Sequence, residues 1–286
     1  MDSTVFAAVL FAAACHAGWN AAIKTGLDPL TSTVLITTGA GLVSLALLPF
    51  AGLPPAAGWP WVAASVVIHL FYFIGLSEAY RTGDLGQVYP LARGSAPLMT
   101  AGVTTLALGE QIGLSGWSGI VILAGGVLLL SLRGGRLMQP PDRRAVYFAL
   151  FTALTICLYS VVDGIGGRAA GNPLAYTLAI FIGNALVMIV YFAIRRGPSG
   201  IAPMLQMPMR RTWPVGLVGG SLQLLSYGIV IWAMTLAPIA LVAALRETSV
   251  LFGALIAVLF LKEPLRPARI VAALMIVCGL VLIRMS

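Results

Sequence analysis

Charged residues are scarce in this sequence. Asp, Glu, Lys and Arg together make up 9% of the 286 residues, whereas hydrophobic residues make up 59%. Soluble domains contain about 25% charged residues, so this chain has too few to cover a surface in contact with water. The composition excludes an ordinary soluble enzyme and a disordered protein, and it predicts an integral membrane protein.

Histidine, cysteine and lysine are also rare. His16 and His69 are the only histidines, and neither has a neighbour at metal-ligand spacing. The cysteines Cys15, Cys157 and Cys278 lie far apart within apolar runs, which argues against a disulfide framework. Neither of the two lysines follows a glycine, so the chain has no Walker A loop. We therefore expect no metal, no cofactor and no ATP-driven pump.

Ten apolar runs are each long enough to cross a bilayer as a helix, which takes about 20 residues. They cover residues 4–24, 30–50, 59–81, 85–107, 114–132, 144–168, 173–194, 211–235, 239–260 and 266–284. The runs are continuous rather than alternating in polarity, which excludes a transmembrane barrel. The short connections predict an all-α bundle of transmembrane helices.

The basic residues predict the orientation of this bundle. The loops after the odd-numbered spans carry 13 of the 17 Lys and Arg residues, whereas the other side carries only Arg168 and Arg284. Positive loops stay in the cytoplasm, so we expect a bacterial inner-membrane protein with both termini in the periplasm. The net charge of +8 does not indicate nucleic-acid binding, since that requires a continuous basic face.

The two halves of the sequence resemble each other. A shift of 153 residues places Gly75 on Gly228, Arg93 on Arg246, Glu110 on Glu263 and Gly126 on Gly279. Each half holds five of the spans, and an odd number reverses the orientation of the second half. The pattern predicts two inverted five-helix repeats, residues 1–134 and 144–286, joined by a linker at 135–143. Such inverted repeats are typical of secondary transporters.

The residues around these positions resemble a known family. Residues 89–97 (YPLARGSAP) lead to 108–110 (LGE) in the first half, and Arg246 leads to 261–264 (LKEP) in the second. With 16–20 (HAGWN) in the first span, this plan resembles the EamA type of the drug/metabolite transporter superfamily over essentially the whole chain. The resemblance implies a carrier of small organic solutes that works by alternating access. It favours an exporter of neutral or aromatic amino acids, with other metabolites or drugs as the alternative.

The two intramembrane arginines are the first candidates for substrate binding, because charged groups inside a membrane are costly. Arg93 lies about 12 Å from the cytoplasmic end of its span, on one face with Tyr89, and Arg246 lies at a similar depth from the opposite side. A guanidinium group is well shaped to bind a substrate carboxylate, and we favour Arg93 because no acid adjoins it in sequence. The alternatives are an ion pair between Arg93 and Glu78 or Asp84, or an Arg93 side chain that extends to the membrane interface.

Other polar and aromatic residues inside the spans complete the predicted site. Glu247 is a candidate for proton coupling or for a structural partner of an arginine. The remaining candidates would surround the substrate side chain or pack against one another: His16, Trp19, Asn20, His69, Tyr72, Tyr159, Asp163, Gln223 and Tyr227. Asp163 could bind a substrate ammonium group or act on the end of its helix.

One short motif suggests enzymatic chemistry. Residues 116–119 (GWSG) match the Gly-x-Ser-Gly of intramembrane serine proteases, which need a histidine base beside the serine. Small residues near a span end more commonly pack helices, so we expect no enzyme. The expected partners are a small-molecule substrate and the lipid bilayer; protons as a coupling ion, and a monomer or a homodimer, remain open at this point.

Overall fold

The computed structural model describes residues 1–23, 28–82, 85–132, 143–197, 209–261 and 267–286. Within these ranges all regular structure is helical. The α-helices are α1 (Ser3–Ile23), α2 (Pro29–Ala51), α3 (Trp59–Thr82), α4 (Leu85–Leu108), α5 (Leu114–Leu132), α6 (Arg143–Ala170), α7 (Pro173–Arg196), α8 (Met209–Leu236), α9 (Ile239–Arg246), α10 (Ser249–Leu261) and α11 (Pro267–Met285). A short 3-10 helix covers Ala56–Gly58.

These helices follow the ten predicted spans, with the ninth divided into α9 and α10 at Glu247 and Thr248. In the described ranges, eight helical segments are long and apolar enough to cross a membrane. α5 contributes a shorter apolar helix, and α4 is less apolar because it carries Arg93 and several Thr and Gly residues. The predicted all-helical class with two repeated halves is confirmed.

Two pairs of equivalent helices, α5 with α11 and α2 with α7, pack antiparallel across the two halves. In the α5–α11 pair, a Cβ added to Gly119 would lie 2.8 Å from the Gly279 carbonyl oxygen, and one added to Gly126 would lie 2.9 Å from that of Ala272. The sequence shift of 153 residues places Gly119 on Ala272 and Gly126 on Gly279. Exchanging the two halves therefore converts the contact between Gly119 and Gly279 into the contact between Ala272 and Gly126. This reciprocity is what a two-fold relation between inverted halves requires.

The same relation organises the rest of the bundle. α2 packs on its counterpart α7. The contact of α3 with α6 has its counterpart in the contact of α8 with α1. The contact of α4 with α6 has its counterpart in the contacts of α9 and α10 with α1. The α2–α7 pair is also antiparallel, since Val34 packs on Met188 while Asn172 Nδ2 donates to the Ala51 carbonyl at 3.1 Å. The central helices therefore come from both halves.

The helix α9 lies in the interior, and all eight of its residues are buried. At its N-terminus the Glu110 carboxylate accepts hydrogen bonds from the backbone N–H groups of Ile239 at 3.0 Å and Ala240 at 3.5 Å. Arg168 binds the same carboxylate at 3.0 Å and donates to the Met234 carbonyl at 2.9 Å. These contacts hold α9 in place, with Arg246 at its other end.

Candidate functional site

A small cavity lies between helices of the two halves, with a volume of about 50 Å³. Eight predicted site residues line it: His16, Trp19, His69, Tyr72, Tyr159, Gln223, Tyr227 and Arg246. Thr37, Phe73, Phe181 and Asn184 complete the lining. The sequence shift relates Arg93 to Arg246, but of these two only Arg246 lines the cavity.

Aromatic rings form one wall of this cavity. The His69 ring stacks on Tyr159 with centroids 4.4 Å apart and planes inclined by 20°. Tyr227 meets both rings edge-on at 5.8 Å and lies 6.3 Å from Phe181. Each such ring pair contributes about 0.5–1.5 kcal/mol beyond its buried area, so Tyr227 is the central residue of a stable wall.

Asp163 lies behind this wall rather than on it. Its side chain has no exposed surface, and it accepts hydrogen bonds from the hydroxyls of Tyr227 at 2.5 Å and Tyr176 at 3.0 Å. α6 continues for seven residues to Ala170, so the carboxylate is remote from the helix end. Tyr227 stands between Asp163 and the cavity, and Asp163 is not among the lining residues.

Glu247 joins the two intramembrane arginines. Its Oε2 lies 2.6 Å from Arg93 Nε and its Oε1 lies 3.4 Å from Arg246 Nη2. All three side chains are at most 2% exposed. Arg93 Nη2 also donates to Ser249 Oγ at 2.7 Å. Arg93 therefore has an acid partner from the other half of the chain, which its sequence neighbours did not indicate.

The local chain geometry explains how Glu247 reaches both arginines. The N–H groups of Glu247 and Thr248 donate to the carbonyls of Ala244 and Leu245, three residues back, at 3.0 and 3.1 Å. Thr248 Oγ1 also donates to the Leu245 carbonyl at 2.7 Å. This tighter turn ends α9 and turns a run of four polar residues, 246–249, into the centre of the protein.

Arg246 faces the cavity beside the aromatic wall. Its guanidinium carbon lies 5.4 Å from the Tyr159 ring centroid and 5.8 Å from that of Tyr227. Within the described residues its Nε has no hydrogen-bond partner, and neither has Asn184 Oδ1 or Gln223 Oε1. These three buried polar atoms belong to residues that line the same cavity. Together they are one donor and two acceptors without partners in the described chain.

The remaining predicted residues lie elsewhere or are occupied. Asn20 Nδ2 donates to the His16 carbonyl at 2.8 Å on its own helix, and Asn20 is not among the residues that line the cavity. Glu78 pairs with Arg195 at 3.6 Å. Asp84 and the side chain of Tyr89 lie outside the described part of the chain. The motif at 116–119 makes helix contacts, since a Cβ on Gly116 would meet Ile112, Ser286 and Leu241.

Sequence reasoning missed Thr37, Asn184, Phe181 and Ser249. Asn184 carried a usable signal, because it is the only amide in helix α7 and lies within an otherwise apolar stretch, residues 178–190. The other three residues are common in apolar helices, and their position in sequence does not distinguish them from packing residues. Among the described residues, no group of three or more His, Cys, Asp or Glu side chains is placed to hold a metal ion.

Comparisons with known proteins give the family. The model of the EamA-like transporter family matches residues 3–132 and 143–285. A solved crystal structure, described only as that of a protein, is similar with a TM-score of 0.75 and 17% identity over 99% of both chains, which shows a shared fold. No curated protein matches the chain by sequence. The chain is a multi-pass membrane protein that belongs to the EamA-like transporter family.

Proposed function

We propose that this transporter exports an amino acid with an apolar or aromatic side chain across the cytoplasmic membrane by alternating access. The observation that carries the proposal is a set of three buried polar atoms without hydrogen-bond partners in the described chain, Arg246 Nε and the amide oxygens of Asn184 and Gln223, whose residues all line the cavity. One donor and two acceptors beside aromatic rings complement a carboxylate, an ammonium group and an apolar side chain.

Arg246 is the proposed contact for the substrate carboxylate. Its charge is only partly neutralised, because Glu247 also binds Arg93 at the shorter distance of 2.6 Å. A carboxylate that reached Arg246 Nε would satisfy a donor that has no partner among the described residues. Hydrogen bonds to charged groups contribute about 1.5–3 kcal/mol, so this contact can supply a large part of the binding energy.

Asn184 and Gln223 are the proposed contacts for the ammonium group. Their side-chain oxygens are buried acceptors without partners in the described chain, and a buried polar atom left unpaired costs about 1–3 kcal/mol. An ammonium group donates three hydrogen bonds and would satisfy both oxygens. Asp163, the acidic alternative from the sequence, is separated from the cavity by Tyr227.

The volume of the cavity supports a carrier that changes shape. Ligand pockets usually measure about 300–1,000 Å³, whereas this cavity measures about 50 Å³ and has room for a few water molecules. We therefore propose that the helices separate to admit a substrate. Two inverted halves, 1–134 and 144–286, can exchange conformations around a central site, and we propose that they are the moving units.

Counterflow into proteoliposomes tests this function. Vesicles loaded with unlabelled phenylalanine should take up labelled phenylalanine, and leucine should compete better than aspartate, lysine or leucinamide. Arg246→Lys keeps the charge but loses the guanidinium fork, so it should weaken phenylalanine binding by about tenfold or more. Gly253→Ala is the matched control, because a Cβ at this position meets no atom within 4 Å.

Two results would contradict the proposal. Absence of counterflow with any amino acid would reject amino-acid transport. Equal competition by leucine and leucinamide, together with an unchanged affinity in Arg246→Lys, would show that no carboxylate is recognised. Competition by aromatic amines but not by amino acids would favour the alternative of drug export.

A further inference from the structure

Two acidic side chains in the described part of the chain have no exposed surface, Asp163 and Glu247. Buried acids within membrane helices are expensive and commonly take part in proton transfer. The partners of these two acids differ in charge. That difference decides which of them can take up a proton.

Glu247 is bound by two guanidinium groups. Its two oxygens lie 2.6 Å from Arg93 Nε and 3.4 Å from Arg246 Nη2. A proton on Glu247 would leave two buried guanidinium groups without a counter-charge, and breaking a buried ion pair in this way is strongly unfavourable. Glu247 is therefore a structural partner of two arginines, which is one of the two roles that its sequence position allowed.

Asp163 is held by hydroxyl groups. Tyr227 donates to one oxygen at 2.5 Å and Tyr176 donates to the other at 3.0 Å. A tyrosine hydroxyl can donate or accept, so one of the two can turn and accept a hydrogen bond from a protonated Asp163. Protonation at this position needs a hydroxyl rotation and leaves no cation without its partner.

We propose that Asp163 is the proton-binding site of this transporter and that Tyr227 links it to the substrate cavity. The inference rests on the proposed function, since it assigns the coupling ion of the same transport cycle. In the step itself, one proton adds to the Asp163 carboxylate and gives the neutral acid. Tyr227 keeps its own proton and changes only its hydrogen bond.

The surroundings of Asp163 contain few other charges. The titratable groups that face it from the helices packed on α6 are His69 of α3, Tyr176 of α7 and Tyr227 of α8. His69 Nδ1 donates to the Ser65 carbonyl at 2.9 Å. On α6 itself, Tyr159 stacks on His69, and Arg168 binds Glu110. The arginines of two other helices, Arg93 of α4 and Arg246 of α9, share Glu247 as their acid partner.

Tyr227 connects the proton site to substrate binding. Its hydroxyl binds Asp163, whereas its ring lines the cavity and lies 5.8 Å from the guanidinium carbon of Arg246. Protonation of Asp163 removes the charge of the group that binds the Tyr227 hydroxyl and so weakens one of the contacts that hold the ring in the wall. A substrate that displaces this ring favours one protonation state of Asp163 over the other, which is the requirement for coupling.

Two transport assays separate the proton site from the substrate site. Counterflow of phenylalanine at equal pH reports substrate exchange, and accumulation driven by a pH gradient reports coupling. Asp163→Asn keeps an oxygen acceptor for the tyrosines but cannot ionise. It should retain counterflow that no longer varies with pH, and it should lose gradient-driven accumulation by about tenfold or more. Asp28→Asn, an acid-to-amide change outside the spans, should keep both activities.

Proton release from the wild-type protein gives an independent readout. Addition of phenylalanine to the purified protein in weakly buffered detergent should change the pH of the solution. Tyr227→Phe, which removes only the hydroxyl, should shift the pH at which that release is half-maximal. This pair of measurements keeps the proposal testable if Asp163→Asn does not fold.

The outcomes distinguish the two proposals. Wild-type protein without counterflow would reject the proposed function itself. Counterflow with gradient-driven accumulation that survives in Asp163→Asn would overturn only the assignment of the proton site. No proton release by an active wild-type protein, or an unchanged release profile in Tyr227→Phe, would also overturn it.

Discussion

Arg93 of the first half and Glu247 of the second form a buried ion pair, with Nε and Oε2 2.6 Å apart. Arg246, the counterpart of Arg93, binds the other oxygen of the same carboxylate at 3.4 Å. One glutamate thus holds the equivalent arginines of two inverted repeats. The arrangement assigns different roles to the arginines, because only Arg246 also lines the cavity.

We expect Arg93 to contribute mainly to stability. Arg93→Ala removes one partner of a buried pair, which costs about 3–5 kcal/mol when the remaining charge stays buried. Arg93→Lys should cost less, since it keeps the charge. Melting of the detergent-purified protein measures both changes. A melting temperature unchanged in Arg93→Ala, with affinity for amino acids lost, would instead make Arg93 the carboxylate contact that its sequence context favoured.

The contact between α5 and α11 should depend on glycine. Gly119→Ala would bring a Cβ within 2.8 Å of the Gly279 carbonyl oxygen, and overpacking of this kind costs about 1–3 kcal/mol. Gly102→Ala is the control, because a Cβ at that position meets no atom within 4 Å. Thermal unfolding in detergent should show a lower midpoint for Gly119→Ala alone. Similar midpoints for the two variants would argue against close packing of these helices.

The N-terminus of α2 should lose a stabilising contact in acid. Burial alone would raise the pKa of Asp28, but hydrogen bonds from Thr31 and the charge of Arg196 outweigh burial and lower this pKa below its ordinary value. A lowered pKa stabilises the folded state above the ordinary value of about 3.9, and the stabilisation is lost as the pH falls through the folded value.

Asp28→Ala should therefore destabilise the protein at neutral pH by about 0.5–2 kcal/mol, the usual cost of losing an N-cap. The value should lie at the low end, because the Arg196 pair is nearly half exposed. Melting temperatures of the variant and the wild type should converge only when the pH falls below the lowered pKa of Asp28, which itself lies under the ordinary value of about 3.9. A difference that persists at acid pH would show that the carboxylate charge is not responsible.

The distribution of basic residues predicts the orientation. A C-terminal alkaline phosphatase fusion should be active, and a green fluorescent protein fusion at the same point should be dark, since that end is expected in the periplasm. Fusions within the linker at 135–143 should give the opposite pair of results. If the fusions at both positions gave the reverse results, the protein would have the opposite orientation in the membrane, and every loop assigned to the cytoplasm would lie in the periplasm.

Much of the fold follows from local properties of the chain. Low charge, ten apolar runs and matched positions 153 residues apart indicate membrane helices in two inverted repeats. Hydropathy is a property of each segment, and the orientation of the second half follows from counting spans. The division of the ninth span at Glu247 was harder to predict, because a polar residue inside a span is compatible with an unbroken helix.

The partners of the polar residues are a different matter. The sequence determined that this chain crosses a membrane, repeats itself and carries two intramembrane arginines. Only the tertiary structure paired Arg93 with Glu247, left Arg246 on the cavity and placed Asp163 behind Tyr227. The physical reason is that these contacts depend on how each helix is rotated about its axis and on which neighbour it meets. Packing between distant segments decides both, and no local pattern records it.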